Sequence, residues 1–221
     1  LNPWSVRRKS FTDETKQKEE IAARFNAEVA DLNDYEPMAF CSAFDYPKTP
    51  VITNEAPTKV QLFNWGLIPR WAEDDAIKSY TLNARIETLA EKKSFKDVIQ
   101  NRCLIVADGF YEWQWRNKSG SKKEKYLITL PNQGLFAFAG IYSQWVTFNN
   151  ENIYSYSIIT TQANELMREI HNTKQRMPVV LKKQDEQNWL KGGNYKDFAF
   201  PYCCDLMATS LENRSGQLGM F

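Results

Sequence analysis

The stretch Cys103-Leu-Ile-Val-Ala107-Asp108-Gly109-Phe110-Tyr-Glu112-Trp-Gln-Trp115 sets two runs of β-branched and aromatic residues on either side of an Asp-Gly pair. Such runs fit a pleated, half-buried surface, and Asp-Gly between them is a turn signal. Three more runs of the same kind follow, Tyr126 to Leu130, Leu135 to Tyr142 and Tyr154 to Thr161, divided by Asn117-Lys-Ser-Gly120 and Pro131-Asn-Gln-Gly134. Strands joined in succession by short turns predict antiparallel pairing. The expected fold is α+β, with a strongly curved antiparallel sheet or barrel-like core and a few peripheral helices, and without the strand-helix alternation of a parallel sheet.

Outward from this stretch the elements are sparser. Between Thr12 and Val29 the apolar residues Ile21, Phe25 and Val29 recur every four positions among charged neighbours, which predicts an amphipathic helix with Asp13 as its cap. Pro37, Pro47, Pro50 and Pro57 then interrupt the chain until Lys59 to Trp65 alternates as a half-buried strand does. Ser94 ahead of Phe95, Val98 and Ile99 predicts a short capped helix. Gln162 to Ile170 and Lys182 to Leu190 read as helices with the strand Met177 to Leu181 between them. No Gly/Ser- or Pro-rich linker divides the 221 residues, so residues 1–221 read as one domain.

Composition excludes several classes. Lys and Arg number 28 against 27 Asp and Glu, so no global field draws in nucleic acid and any such binding rests on a local patch. No apolar run approaches the roughly 18 residues that cross a bilayer, and Leu1-Asn-Pro-Trp-Ser-Val-Arg-Arg-Lys9 lacks the apolar segment of a signal peptide. No membrane association is expected. Cys41, Cys103 and the adjacent Cys203-Cys204 show no C-x-x-C spacing, which fits a reducing cytoplasm. The single histidine, His171, limits the chemistry further: a Ser-His-Asp triad or a histidine relay must use it or be absent. With one imidazole and no paired cysteines, no metal is expected, and without a Gly-rich phosphate loop no nucleotide cofactor is expected.

Four segments combine polar groups with rigid apolar neighbours. In Trp65-Gly-Leu-Ile-Pro-Arg-Trp71 the aromatics either cap a core or offer a surface on which unpaired bases stack. In Leu82-Asn-Ala-Arg-Ile-Glu-Thr88, Asn83, Arg85 and Glu87 share one face if the segment is extended. An Asn amide can orient a reacting group and an Arg can hold phosphate, yet a solvated edge strand would look the same. Glu112, between Tyr111 and Trp113, is either outward-facing or buried with its pKa raised toward an acid/base range. His171, in Ile-His-Asn-Thr-Lys-Gln-Arg-Met-Pro-Val-Val-Leu181, is either a satisfied residue at a helix end or a group that titrates near neutrality, with Arg176 as a further phosphate contact.

Taken in order, Trp-Gly-Leu-Ile-Pro-x-Trp, Asn-Ala-Arg-x-Glu-Thr, Arg-Cys-Leu-x-x-x-x-Gly-Phe-Tyr-Glu-Trp, Phe-Ala-Gly-Ile and the Ile-His…Arg-Met-Pro-Val-Val-Leu run resemble the SOS-response-associated peptidase (SRAP) family, from about Trp65 to Leu181. The resemblance implies a sensor of abasic sites in single-stranded DNA that crosslinks covalently to the lesion, with an associated autoproteolytic peptidase activity. It implies that the amine of an N-terminal cysteine attacks the open-chain sugar aldehyde to give a Schiff base, on which the thiol closes as a thiazolidine. Matched by position, Asn83 would orient the N-terminal residue, Glu112 would act as acid/base beside the amine and His171 would assist sugar ring opening. Arg85 and Arg176 would hold phosphate, and Pro47, Trp65, Pro69 and Trp71 would hold the strand beside the lesion. The chain begins Leu1-Asn2-Pro3-Trp4 where the family would have Met-Cys, and the segment Cys41 to Ile52 keeps only Pro47 and the Pro-Val-Ile continuation. A single-strand binder without the nucleophile, and a cysteine hydrolase pairing Cys103 or Cys41 with His171, are the competing readings. The expected partner is single-stranded DNA, and a monomer is expected.

Overall fold

The computed structural model describes residues 5–7, 14–29 and 40–212; the expectations for residues 1–4, Asp13 and Pro37 lie outside them. The described residues form β1 (Ser5–Arg7), α1 (Glu14–Phe25), β2 (Phe40–Ser42), β3 (Lys48–Thr53), β4 (Gln61–Trp65), β5 (Asn83–Arg85), β6 (Arg102–Ala107), β7 (Gly109–Trp115), β8 (Lys123–Thr129), β9 (Phe136–Val146) and β10 (Asn152–Gln162). There follow α2 (Glu165–Ile170), β11 (Arg176–Pro178), β12 (Val180–Leu181), α3 (Glu186–Leu190) and β13 (Met207–Ser210). The expected α+β architecture with a barrel-like core is the one observed.

Strands β10, β4, β3, β6 and β9 bond in that order, and β9 pairs back onto β10, so the ring closes. Closure removes the exposed edges of an open sheet. β5 and β11 add to β10 and β12 adds to β9, while β13, β8, β7, β1 and β2 make a second sheet. The hairpins β7–β8 and β9–β10 are antiparallel as expected. β6 and β7, however, do not pair across Asp108-Gly109: β6 bonds β3 and β9 in the barrel, whereas β7 bonds β1 and β8 in the second sheet. The Asp-Gly pair is thus a corner where the chain changes sheets, and Gly109 is needed there because a Cβ would stand 2.9 Å from the Ile128 carbonyl oxygen. The barrel is also mixed, since β4 and β5 run parallel to β10.

Burial on both faces explains the unbroken apolar run of β6. Cys103, Ile105 and Ala107 join one apolar cluster with Phe110, Phe136 and Phe138, while Leu104 and Val106 join another with Ile21, Ala137, Ala139 and Trp189. This is the two-residue period of a strand with a layer on each side. The interior is tight at Gly140, where a Cβ would meet Ile105 Cδ1 at 2.5 Å and Cys103 Sγ at 2.7 Å.

The helices are shorter than the apolar periods suggest. α1 stops at Phe25 because Asn26 turns into the left-handed region at φ 49°, and Val29 lies beyond it. Arg24 then ties α1 to α3 through a two-pronged pair with Glu186 at 2.7 and 3.2 Å. Near Ser94 only a 3-10 turn, Lys96–Val98, forms, and no side chain caps it. α2 begins at Glu165, capped by the Asn164 side chain, because Gln162 is already paired to Arg176 as strand.

Candidate functional site

A cavity of about 550 Å³ opens between the barrel and the second sheet, lined by residues that include Asn83, Arg85, Glu112, Thr160, His171 and Arg176. β7 supplies Glu112, which is only 1% exposed. Its Oε1 accepts the Trp113 backbone N–H at 2.9 Å and its Oε2 lies 3.5 Å from His171 Nδ1. His171 caps the C-terminus of α2. Its Nδ1 is 2.8 Å from the Arg176 carbonyl oxygen, and since a carbonyl can only accept, the neutral ring carries its proton on Nδ1 and keeps the Nε2 lone pair. Burial lowers the imidazole pKa below 6.5 and the charges of Lys174 and Arg176 lower it further, against the opposing pull of the Arg176 carbonyl. At neutral pH the ring is therefore a base.

Local sequence explains why the imidazole stands over the carboxyl. α2 is pinned to β7 by Gln114, whose Nε2 donates to the Glu169 carbonyl at 2.9 Å. Asn172 completes the attachment: its Oδ1 accepts the Trp115 N–H at 3.1 Å and its Nδ2 donates to the Trp115 carbonyl at 2.9 Å, so one amide mimics a neighbouring strand. Glu112 and Gln114 alternate on the buried face of β7, and the residue after His171 holds the same strand.

From the barrel side, β5 pairs with β10 through Ile158↔Asn83 and Thr160↔Arg85. Asn83 Oδ1 is buried without a hydrogen-bond donor among the described residues, a costly state for an acceptor that nothing fills. Arg85 is exposed at the cavity edge. Glu87 does not continue the strand face, since Ile86–Thr88 is a 3-10 turn, and it pairs with Arg176 instead. β1 approaches from the other direction, with Ser5 opposite Tyr111, so its N-terminal end is the end beside Glu112.

Other expected positions fall elsewhere. Trp65 is fully buried and its Nε1 donates to the Leu82 carbonyl at 2.9 Å, so it braces β5 and has no face for a base. Arg176 lines the cavity, but its guanidinium is spent on Glu87 at 2.7 and 2.9 Å and on the Thr160 carbonyl at 2.8 Å, which leaves no fork for phosphate. Pro69, itself buried, and Trp71, 42% exposed, line a separate hollow of about 220 Å³ with Lys93. Pro47 lies outside the lining of both hollows, in a turn where its carbonyl accepts the Trp65 N–H. Cys103 is fully buried and burial drives its thiol pKa far above the ordinary range, which removes it as a hydrolase nucleophile. Cys204 is pushed up to about 12 by burial.

Residue-level reading missed Gln114, Asn172 and Thr160, along with the structural use of Glu87. The alternation of Gln114 with Glu112 and the adjacency of Asn172 to His171 were the available signals. Among the described residues no group of three or more His, Cys, Asp or Glu side chains forms a metal-binding cluster, and no helix is long and apolar enough to cross a membrane.

The family model described as SOS response associated peptidase (SRAP) matches residues 9–209. The chain is 43% identical over 145 residues to the abasic site processing protein YoqW of Bacillus subtilis, a stretch covering 65% of this chain and 62% of YoqW. It therefore spans less than two thirds of that relative. Identity to the abasic site processing protein YoaM of the same organism is 38% over 163 residues, 71% of this chain and 70% of YoaM. A crystal structure of a Bacteroides thetaiotaomicron protein superimposes with a TM-score of 0.82 at 31% identity, covering 95% of this chain and 92% of that one.

Proposed function

The chain belongs to the SOS response associated peptidase family, and from that premise we propose that it recognises abasic sites in single-stranded DNA and crosslinks to them through the α-amine of its first residue. The observation that carries the reading is the meeting of Glu112, His171, Asn83 and Arg85 around one cavity. An abasic sugar is mostly a cyclic hemiacetal, and opening it requires a proton to leave the anomeric hydroxyl while another reaches the ring oxygen. His171, neutral with its proton on Nδ1, takes the first proton on Nε2; a carboxyl such as Glu112 can return one.

The amine nitrogen then adds to the aldehyde carbon, and the carbinolamine loses water to leave an imine. Glu112, left ionised by the ring opening, takes the proton the amine nitrogen gives up on addition and passes it to the departing hydroxyl, while the Asn83 Oδ1 acceptor holds an amine N–H. Where the first residue carries a thiol, its sulfur adds across the imine to close a thiazolidine with no further leaving group. Arg85, exposed at the rim, pairs with a phosphate. The same acid/base pair would serve the autoproteolytic step that frees the amine, and a reducing cytoplasm is the proposed setting.

The test is incubation of the protein with single-stranded oligonucleotides that differ only by one abasic site. Tighter binding of the abasic strand and a heat-stable shifted band on a denaturing gel are expected, with borohydride trapping any reversible imine. Equal affinity for both strands would overturn the proposal, and preference without a band would reduce the protein to a binder.

A further inference from the structure

The cavity extends past the reacting groups to Trp113, Trp115, Lys123, Thr173 and Lys174. We propose that Trp115, Lys123 and Lys174 form a nucleotide subsite that takes the base and phosphate of one residue flanking the lesion on a single side. This rests on the reading above and adds a substrate requirement to it.

The aromatic is built to stay in place. Gly120, at φ 68°, packs so close to the indole that a Cβ there would lie 2.4 Å from its Cζ3, so the turn backbone braces the ring, which also lines the cavity. The Trp115 backbone is held by both ends of the Asn172 amide. The platform, the loop carrying Thr173 and Lys174, and His171 are therefore one mechanical unit.

The cations suit a phosphate chain. Lys123 stands directly opposite Trp115 in the β7–β8 register with its Nζ 5.2 Å from the ring centroid, and it is exposed, as is Lys174. Among the described lining residues the one carboxylate, Glu112, is buried. Arg85 from the barrel and the two lysines from the other side thus offer positive charge to either flank of the Glu112–His171 pair. A base-less sugar cannot stack, so a protein that holds one gains from stacking on the neighbouring base.

The full chain is tested against three abasic oligonucleotides: one with nucleotides on both sides of the lesion, one ending at the lesion on its 5′ side, and one ending there on its 3′ side. For the unaltered protein, removing one flank but not the other should weaken binding about ten-fold. W115A should abolish that difference, W115F should retain most of it, and K123A/K174A should lower the dependence of log affinity on log salt by up to about 1.4, two contacts at 0.7 each. Equal sensitivity to both flanks in the unaltered protein, or a one-flank preference that survives W115A, would overturn the subsite. Failure of the unaltered protein to prefer abasic over intact strands would overturn the underlying function instead.

Discussion

Glu112 Oε2 and His171 Nδ1 stand 3.5 Å apart, yet the imidazole spends its Nδ1 proton on the Arg176 carbonyl at 2.8 Å. The carbonyl, not the nearby carboxyl, sets the tautomer. Arg176 is itself held by Glu87 and Thr160, so the orientation of the only histidine depends on an ion pair that never enters the cavity chemistry.

Because the chain has one histidine, its imidazole resonances are unambiguous. An NMR titration should place the His171 midpoint below 6.5, because burial and the Lys174 and Arg176 charges disfavour the imidazolium. Lys174→Ala should move the midpoint upward; an unchanged or lower value would contradict the part assigned to that charge.

Replacing either reacting group should slow crosslinking far more than it weakens binding. Glu112→Gln and His171→Ala are each expected to lower the single-turnover rate by about 10²- to 10⁴-fold, the usual contribution of a positioned acid or base. Rates measured by denaturing gel that stay at the unaltered level would remove these residues from the mechanism.

Acid should destabilise the fold in two windows. His171 has a folded pKa below its unfolded 6.5, so the unfolded chain binds more protons there and stability falls as pH drops through and below 6.5. Glu87 is drawn below 4.5: burial pulls upward, but hydrogen bonds and charge from Arg176 outweigh it. Its contribution persists above 4.5 and is lost as pH falls past the lowered value. Glu186 acts in the opposite sense, raised by burial despite Arg24. Urea midpoints across this range should show the upper window disappear in His171→Gln.

Glu87→Gln should separate support from chemistry. The pair it forms is partly exposed on the Glu87 side, so a stability loss of about 0.2–1 kcal/mol is expected. Loosening Arg176 should also broaden the His171 resonances. Thermal melts together with the same titration check both parts.

Trp65 should behave as a brace. Trp65→Ala is expected to cost about 3–5 kcal/mol in denaturant unfolding, while Trp65→Phe keeps most of the packing and loses one hydrogen bond to a Leu82 carbonyl that still accepts the Ile158 N–H, costing about 0.5–1.5 kcal/mol. Any variant that folds should discriminate abasic from intact DNA as before. Loss of discrimination in a folded Trp65→Phe protein would return this residue to the binding surface.

Much of the architecture was readable because burial writes itself into side-chain chemistry. The two-sided β6 could only be an unbroken apolar run, and the alternation along Lys59 to Trp65 marked β4. Element ends were less legible. Asn26 ends α1 by a backbone angle, and Gln162 is strand because Arg176 lies across from it. Within the site, the residues alone left Asn83, Glu112 and His171 each open between a structural and a chemical role, and only the ordered motifs singled them out together.

Sequence alone determined the period of each strand, the single imidazole and the ordered motifs that mark the family, since these are local properties of the chain. Only tertiary structure decided that Asp108-Gly109 is a corner rather than a hairpin, that Trp65 faces inward, and that the Arg176 fork is occupied by Glu87. Each of those outcomes depends on which surface arrives opposite a residue, and in a closed barrel the arriving surface belongs to a strand far away in the sequence.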